Sequence, residues 1–429
     1  MKDTVCTGCS LVCDDAMVAL KKQKLESLGL CRLGYECYSD VLGKNRLKHP
    51  MIRTEKNKQK IVPLDVALAQ SVEILTQSKR PLLYGWSNST DEAITLGLEL
   101  ARCLGGVFDS TASLEYGSLH NYELARGDEE SVTLDDVRNN ADHIVYWGAN
   151  PAESHHRHAS RFTVFPKGEK IAEGRESRTV SVIDIRKTES MRLANHQLIL
   201  KSANGDEQLL SYLLKELKGT TETPPKFIAG IPAIEFLSFA KSLNNADYIA
   251  LFYGNGLLHS GHAATTLPLL KQVVDCINTK KRRCVTLPMV THCNAVGAVK
   301  TCKSITKHPF AVDFSEKTPK PFISAAEGLT EGKFDAALIT GVDAIGTLPG
   351  IAARSLQKIP FIALSSLQSL TTRDAAVVIP TAIMGAECAG TVQRMDGEKI
   401  TLKPFNELPT GILSESKLLQ QLLTKLTTS

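Results

Sequence analysis

The chain has 429 residues, 43% of them hydrophobic, and its 50 Lys+Arg nearly balance 46 Asp+Glu for a net charge of +4. That balance argues against a nucleic-acid or membrane-surface binder, and the apolar content excludes disorder. No apolar run approaches the roughly 18 residues of a spanning helix, and the length suggests two or three domains.

Residues 1–50 differ in composition from the rest. They hold 5 of the 11 cysteines, and they close with Arg46, His49, Pro50 and Arg53 in a connector. An odd cysteine count without an apolar N-terminal stretch reads as cytosolic thiols or metal ligands, so a cytoplasmic location is expected. The basic runs at Lys21–Lys24, Lys56–Lys60 and Lys280–Arg283 read as solvated loops or helix ends. From about residue 60, strand-like runs alternate with amphipathic stretches, the pattern of an α/β fold. Leu68, Val72 and Leu75 predict a helix over 65–77. A buried strand follows at 81–86, and Ser89 with Glu92 suggests a capping box. Ile94, Leu98 and Ala101 line the next helix, and Gly105 ends it. Further strands are expected at 143–147, 180–185, 248–253, 284–288, 336–340, 361–364 and 376–380. Each leads into Gly, Asn or Asp, as in parallel sheets whose ligands sit at carboxyl edges.

Cys6-x2-Cys9-x3-Cys13 with the more distant Cys31 supplies four thiolates, the number a [4Fe–4S] cluster needs. Tetrahedral zinc is the competitor, although zinc sites usually pair their ligands as two short-spaced couples. A metal-free set of thiols is the third reading. Cys37 is a spare that stands near enough to replace Cys31. The other cysteines read as small buried hydrophobes. Gly148-Ala149-Asn150-Pro151 and then His155, His156 and His158 follow a strand end where a phosphate-bearing ligand fits. Surface or ion-paired histidines beside Arg157 and Arg161 are the plainer reading. Asp184 closes a strand and Arg186 follows it. Gly254-Asn255-Gly256 is as readily a turn as a ligand loop.

Taken together, several strings resemble the B subunit of formylmethanofuran dehydrogenase. They are Cys6-Thr-Gly-Cys9, Cys13-Asp14-Asp15, Tyr84-Gly85-Trp86-Ser87, Thr111-Ala112-Ser113 and Trp147-Gly148-Ala149-Asn150-Pro151. His158, Asp184-Ile185-Arg186-Lys187-Thr188, Asn294-Ala295-Val296-Gly297 and Gly390-Thr391-Val392-Gln393-Arg394-Met395-Asp396-Gly397 complete the set. The match is collinear from residue 4 to about 400. The family belongs with the molybdopterin oxidoreductases related to formate dehydrogenases. It implies a small cluster domain (1–58) and two interleaved doubly wound parallel-sheet domains (59–135 with 330–429, and 136–329). It also implies a [4Fe–4S] cluster on Cys6, Cys9, Cys13 and Cys31. Gly148, Asn150, Pro151, His158, Asp184, Arg186 and Arg394 are implied to line a pterin pocket.

One departure bears on function. The family's dehydrogenases ligate molybdenum or tungsten through a cysteine followed by histidine and glycine. Here that stretch reads Thr111-Ala112-Ser113-Leu114-Glu115-Tyr116-Gly117, with Glu115 and Tyr116 replacing the pair. Soft thiolate is lost, and with it a proton-handling imidazole. The pair speaks against a molybdenum or tungsten bis-pterin. A related system, the formyltransferase/hydrolase complex of methylotrophic bacteria, retains this subunit without needing the dehydrogenase step. The expectation is therefore a redox-inactive B subunit that accompanies amidohydrolase-like, C-type and formyltransferase subunits and a methanofuran-like carrier. The alternatives are an active B subunit with a molybdenum or tungsten pterin and, third, a plain iron–sulfur electron-transfer subunit.

Overall fold

The computed structural model of the chain describes residues 1–22, 24–54, 58–116, 132–220 and 223–428. The chain forms two compact units. One comprises Met1–Leu114, His292–Arg394 and Glu398–Ser429; the other comprises Glu115–Thr291 and Met395–Gly397.

The first unit opens with an antiparallel sheet of β1 (Lys2–Thr4), β2 (Ala16–Lys21) and β3 (Lys24–Leu28). Strand alternation turns Val18 and Leu25 inward, where they pack with Tyr38 of the helix Arg32–Ser39. Next come β4 (Met51–Arg53) and β5 (Gln59–Ile61), a hairpin, then β6 (Pro81–Gly85) and β7 (Val107–Ser110), which are parallel neighbours. The helix Leu64–Gln77 buries Leu68 and Leu75 as its periodicity predicts.

The helix Asp91–Leu104 joins β6 to β7 and ends on Gly105 in the left-handed conformation, φ 62°. Its N-cap is Thr90, whose hydroxyl accepts from the Ala93 N–H at 3.3 Å. The expected Ser89–Glu92 capping box is not formed, because distant partners take both side chains. Ser89 Oγ donates to Glu415 Oε1 at 2.8 Å, and Glu92 Oε2 accepts the Thr391 N–H at 3.1 Å.

The second unit carries β8 (His143–Trp147), β9 (Thr179–Asp184), β10 (His196–Ile199), a small hairpin of β11 (Phe227–Ile228) and β12 (Ile231–Pro232), then β13 (Tyr248–Tyr253) and β14 (Arg283–Pro288). Its sheet runs β10-β9-β8-β13-β14 with every pairing parallel. Strand order reverses between β8 and β13, which makes that edge a topological switch point. The core includes Val145, Leu209, Leu213, Phe236, Phe239 and Leu267. The basic run at its end is a helix-end device: Arg282 donates to Leu243 O at 2.6 Å and Ala246 O at 3.1 Å, closing the helix Ala233–Asn245.

The chain then returns to the first unit with β15 (Val312–Asp313), β16 (Lys320–Pro321), β17 (Ala336–Thr340), β18 (Phe361–Ser365), β19 (Val377–Pro380), β20 (Thr391–Gln393) and β21 (Lys399–Thr401). The nine-stranded sheet runs β16-β15-β7-β6-β17-β18-β19-β4-β5; its five middle strands are parallel and each flank adds antiparallel strands. Both faces are covered, so the middle strands read as unbroken apolar runs. Leu83 points into one core with Ile94, Leu98 and Leu418, whereas Leu82 and Tyr84 point into the other with Ala337 and Ile339. The α/β class with parallel sheets and a Cys-rich N-terminal segment is thus the observed architecture. Among the described residues no helix is long and apolar enough to cross a membrane.

Candidate functional site

The N-terminal cysteines sit on a tight loop. The Cys6 N–H donates to Cys13 O at 2.8 Å, the Val12 N–H to Cys9 O at 3.2 Å, and Val12 takes a left-handed φ of 41°. The loop lies on the helix Arg32–Ser39, for which Cys31 is the N-cap residue. The approach needs glycine on both sides: a Cβ at Gly8 would come within 3.0 Å of Gly34 Cα, and one at Gly34 within 2.5 Å of Cys6 Sγ. Cys6, Cys9 and Cys13 are buried, Cys31 and Cys37 half-buried. Burial pushes the Cys6 thiol well above its ordinary range and Cys9 up to about 12. Neighbouring thiolates push the same way: Cys13 and Cys37 at both, Cys31 at Cys9. Such thiols ionise only when a cation compensates them. The donor set suits an iron–sulfur or zinc centre in kind, although among the described residues no three His, Cys, Asp or Glu side chains stand in a coordinating arrangement.

At the end of β7 the family string serves packing. Ser113 Oγ donates to Asp109 Oδ2 at 2.8 Å, and Thr111 Oγ1 donates to Ser87 Oγ at 2.6 Å. Asp109 is buried, and burial pushes its carboxyl up to about 7. Four donors oppose that shift: the Ala325, Ser110 and Ala311 N–H groups and the Ser113 hydroxyl. Glu115 ends the short helix Ala112–Glu115 and is buried. Its Oε2 accepts the Thr291 N–H at 3.3 Å, and its carbonyl lies 3.2 Å from His259 Nε2. Tyr116 is buried as well, and Gly117 lies outside the described residues.

In the second unit, Gly148, Asn150, Pro151 and Asp184 do gather at the carboxyl edges of β8 and β9. Gly148 takes φ 56° and its N–H donates to Ile183 O at 2.8 Å. Asn150 Oδ1 accepts from Ser190 Oγ at 2.6 Å and from its N–H at 3.3 Å, leaving Nδ2 buried with no hydrogen-bond partner among the described residues. Pro151 starts the next helical turn. Gly254 and Gly256 answer from β13: the Gly254 N–H donates to Trp147 O at 3.0 Å and the Gly256 N–H to Gly148 O at 2.9 Å. A Cβ at Gly256 would lie 2.7 Å from Gly148 Cα, so these glycines bring two loop backbones together at the switch point.

His158 does not join that edge. It is fully buried, with Nδ1 2.9 Å from the Tyr146 hydroxyl and its ring edge-on to Phe252 at 4.5 Å. His155 is buried too, with Nε2 3.0 Å from Val290 O. Asp184 Oδ1 accepts the Arg186 N–H at 3.1 Å, while the Arg186 side chain is exposed and 3.6 Å from Glu153. Arg394 belongs to the first unit, where it is buried and paired with Glu398.

A polar network carrying two of the family strings was not legible from local pattern. Asn294 Nδ2 donates to Ser89 O at 2.8 Å and Asp91 Oδ1 at 2.9 Å, and its Oδ1 accepts the Gln393 N–H at 2.7 Å. Gln393 Nε2 closes the circuit on Asp91 Oδ2 at 2.8 Å. A Cβ at Gly297 would lie 2.0 Å from Asn294 Oδ1, which accounts for the Asn-x-x-Gly spacing. Glu415 has a similar anchoring role, accepting from Ser89 and from Thr340 Oγ1 at 2.5 Å.

This architecture is that of the molybdopterin-oxidoreductase-like proteins. Acetylene hydratase from Pelobacter acetylenicus superposes with a TM-score of 0.68 at 12% identity, over 100% of this chain and 69% of that one. A chain of the formyltransferase/hydrolase complex from Methylorubrum extorquens, in complex with methylofuran, gives a TM-score of 0.68 at 18% identity over 88% of this chain and 99% of that one. At these identities the likeness is one of fold. Sequence goes further. The B subunit of the tungsten-containing formylmethanofuran dehydrogenase 2 of Methanocaldococcus jannaschii is 32% identical over 433 residues, covering 99% of this chain and 98% of that protein. Its counterpart from Methanococcus maripaludis is 30% identical over 429 residues, with the same coverage. No family model matches the chain. The chain belongs to the family of formylmethanofuran dehydrogenase B subunits.

Proposed function

We propose that this chain is the B subunit of a formyltransferase/hydrolase complex in tetrahydromethanopterin-linked one-carbon metabolism, acting between a formyl carrier and formate, with its own redox chemistry lost. The observation that carries the reading is Glu115, a buried carboxylate engaged by the Thr291 N–H where the family's dehydrogenases present a thiolate. A hard oxygen donor replaces the soft sulfur that molybdenum and tungsten take there. The residues at 115 and 116 do not fit a metal bis-pterin, and no chemical step runs through one. The role left to the subunit is scaffolding of amidohydrolase-like, C-type and formyltransferase subunits and docking of a methanofuran-like carrier, in the cytoplasm. The vestigial pocket positions in the second unit are Gly148, Asn150, Pro151 and Asp184, at the carboxyl edges of β8 and β9. The likeness to a formyltransferase/hydrolase complex that binds methylofuran supports the reading.

Elemental analysis of the anaerobically purified complex is the direct test. Molybdenum and tungsten are expected far below one atom per chain, and a stoichiometry near one would end the proposal. The second reading, an active tungsten subunit with an unusual ligand, is favoured by the two tungsten-containing relatives. It requires formate- or carrier-dependent reduction of a viologen dye by the intact complex.

A [4Fe–4S] cluster on Cys6, Cys9, Cys13 and Cys31 is part of the proposal, as a structural staple. Cys9→Ser should abolish the broad absorption near ~400 nm that thiolate-ligated clusters give. Iron content equal to that of the unsubstituted chain would refute the ligand set.

A further inference from the structure

A cleft at the other end of the second unit's sheet has no place in the reading above. It measures about 540 Å³ and is lined by Arg175, Glu176, Ser177, Arg178, Thr179 and Asn195. Thr179 is the first residue of β9, and Asn195 directly precedes β10. These strands are parallel, so the cleft lies at their amino ends, away from the carboxyl edges that carry Gly148, Asn150 and Asp184.

Two guanidinium groups set its character. Arg178 is 3% exposed, and its partners among the described residues are backbone carbonyls alone: Ala141 O at 3.1 Å, Val164 O at 3.3 Å, Arg138 O at 2.6 Å and Pro166 O. Burial draws this guanidinium down to about 10. Arg175 is held in the same way, on Arg178 O at 2.7 Å, Leu193 O at 3.0 Å and Asn195 Oδ1 at 3.0 Å. Carbonyl dipoles orient a cation without cancelling its charge, and a charge withdrawn from water attracts an anion more strongly than an exposed one does. Glu176 is the one carboxylate of the lining; it is exposed and, among the described residues, forms no ion pair with either arginine. The other groups can donate. Ser177 Oγ accepts the Glu173 N–H at 3.3 Å and keeps its own O–H to give. Asn195 spends only Oδ1, on Arg175 and on the Val180 N–H at 2.9 Å. Thr179 adds a hydroxyl.

The geometry points to this cleft as a binding site for an oxyanion, a phosphate or carboxylate group, taken up by Arg175 with Ser177, Thr179 and Asn195 as further donors and the buried Arg178 as counter-charge. A guanidinium serves both ions because its planar fork matches two oxygens. The site stands apart from the cluster and pterin readings, since none of its residues belongs to either.

The test is isothermal titration of the full chain with inorganic phosphate and, separately, with citrate, at constant ionic strength in chloride. Saturable binding of one anion per chain is expected, and the tighter of the two names the oxyanion class. Neither binding with a Kd below about 1 mM overturns the proposal. Two variants locate the site. Arg175→Gln should weaken binding about tenfold or more, as loss of a charge-assisted donor does. Glu176→Gln, at an exposed side chain, removes the carboxylate of the lining and should tighten binding about threefold. Affinity unchanged in both variants overturns the assignment, because the anion then sits elsewhere. Thermal unfolding of each variant without anion separates loss of the site from misfolding, and Glu176→Gln alone decides the matter if Arg175→Gln does not fold.

Discussion

Glu387→Ala is expected to destabilise the first unit by about 3–5 kcal/mol, the cost of stranding a buried charge. Arg46 Nη2 lies 2.5 Å from Glu387 Oε2, with side-chain exposures of 4% and 0%. Arg46 also donates to Ser366 O at 2.8 Å, and the same Glu387 oxygen accepts the Ile383 N–H at 2.8 Å. The pair ties the end of the N-terminal segment to the loops after β18 and β19, beside the main-chain bonds from Leu47 N to Ser366 O and from Gln368 N to Asn45 O. Its satisfaction is incomplete: Arg46 Nε and Glu387 Oε1 are buried with no hydrogen-bond partner among the described residues. An imperfectly satisfied buried pair is a poor source of net stability even though breaking it is costly. The double variant Arg46→Met/Glu387→Leu should therefore recover to within about 1 kcal/mol of the original. Urea midpoints for the three proteins decide the matter. A single variant that shifts the midpoint by less than the double would defeat the argument.

What was legible in the sequence follows from what is local. The strand at 143–147 was readable because a fully buried parallel strand has no polar face to blur it. The helix end at Gly105 was readable because the left-handed C-cap favours glycine at one position. The N-cap at 90 was missed by one residue because Ser89 and Thr90 are chemically alike. What separates them is Glu415, 326 residues away, which claims the serine. The strands β1 to β3, three to six residues long, leave too short an alternation beside the cysteines to stand out in the sequence. The edges of β8 and β9 were found through Gly148, Asn150 and Asp184, whose backbone and turn demands leave a local trace. His158 was not, since its burial depends on Tyr146 and Phe252, and a histidine beside arginines reads as a surface or pocket group. Family strings located Asn294 and Gln393 without saying that they bind each other and Asp91.

Those buried histidines give the second unit a distinct response to acid. Burial pulls the His143 imidazole down to about 3, assisted by the charge of His196, and His155 down to about 4, assisted by His156. His158 is drawn well below its ordinary range by the same burial, with His155 adding to it, and its Nε2 has no hydrogen-bond partner among the described residues. In the unfolded chain each titrates near ~6.5. A folded pKa below the unfolded one means that stability is complete above that unfolded value and is lost as pH falls toward the folded pKa. Each histidine then withdraws about 1.4 kcal/mol per pH unit, so His155 alone costs roughly 3 kcal/mol by pH 4. In the first unit, burial raises the carboxyls of Asp109, Asp91 and Glu415, and groups shifted upward make folding more favourable as pH falls; Glu92 and Asp335, where hydrogen bonds outweigh burial and lower the carboxyl, work the other way. Among the described residues of the second unit, one carboxyl, Asp206, is raised in the same way, against its histidines. The two tryptophans report separately, since Trp86 lies in the first unit and Trp147 in the second. Both are fully buried, Trp147 donating to Asp206 and Trp86 to Leu83 O. Fluorescence of Trp86→Phe, which leaves Trp147 as reporter, should therefore show loss of native emission on acidification before that of Trp147→Phe does. His143→Gln, which keeps reach toward Ser181 Oγ and does not titrate, should move the Trp147 transition to lower pH. Loss of the Trp86 signal at the higher pH of the two would rule out buried histidines as the acid-labile element.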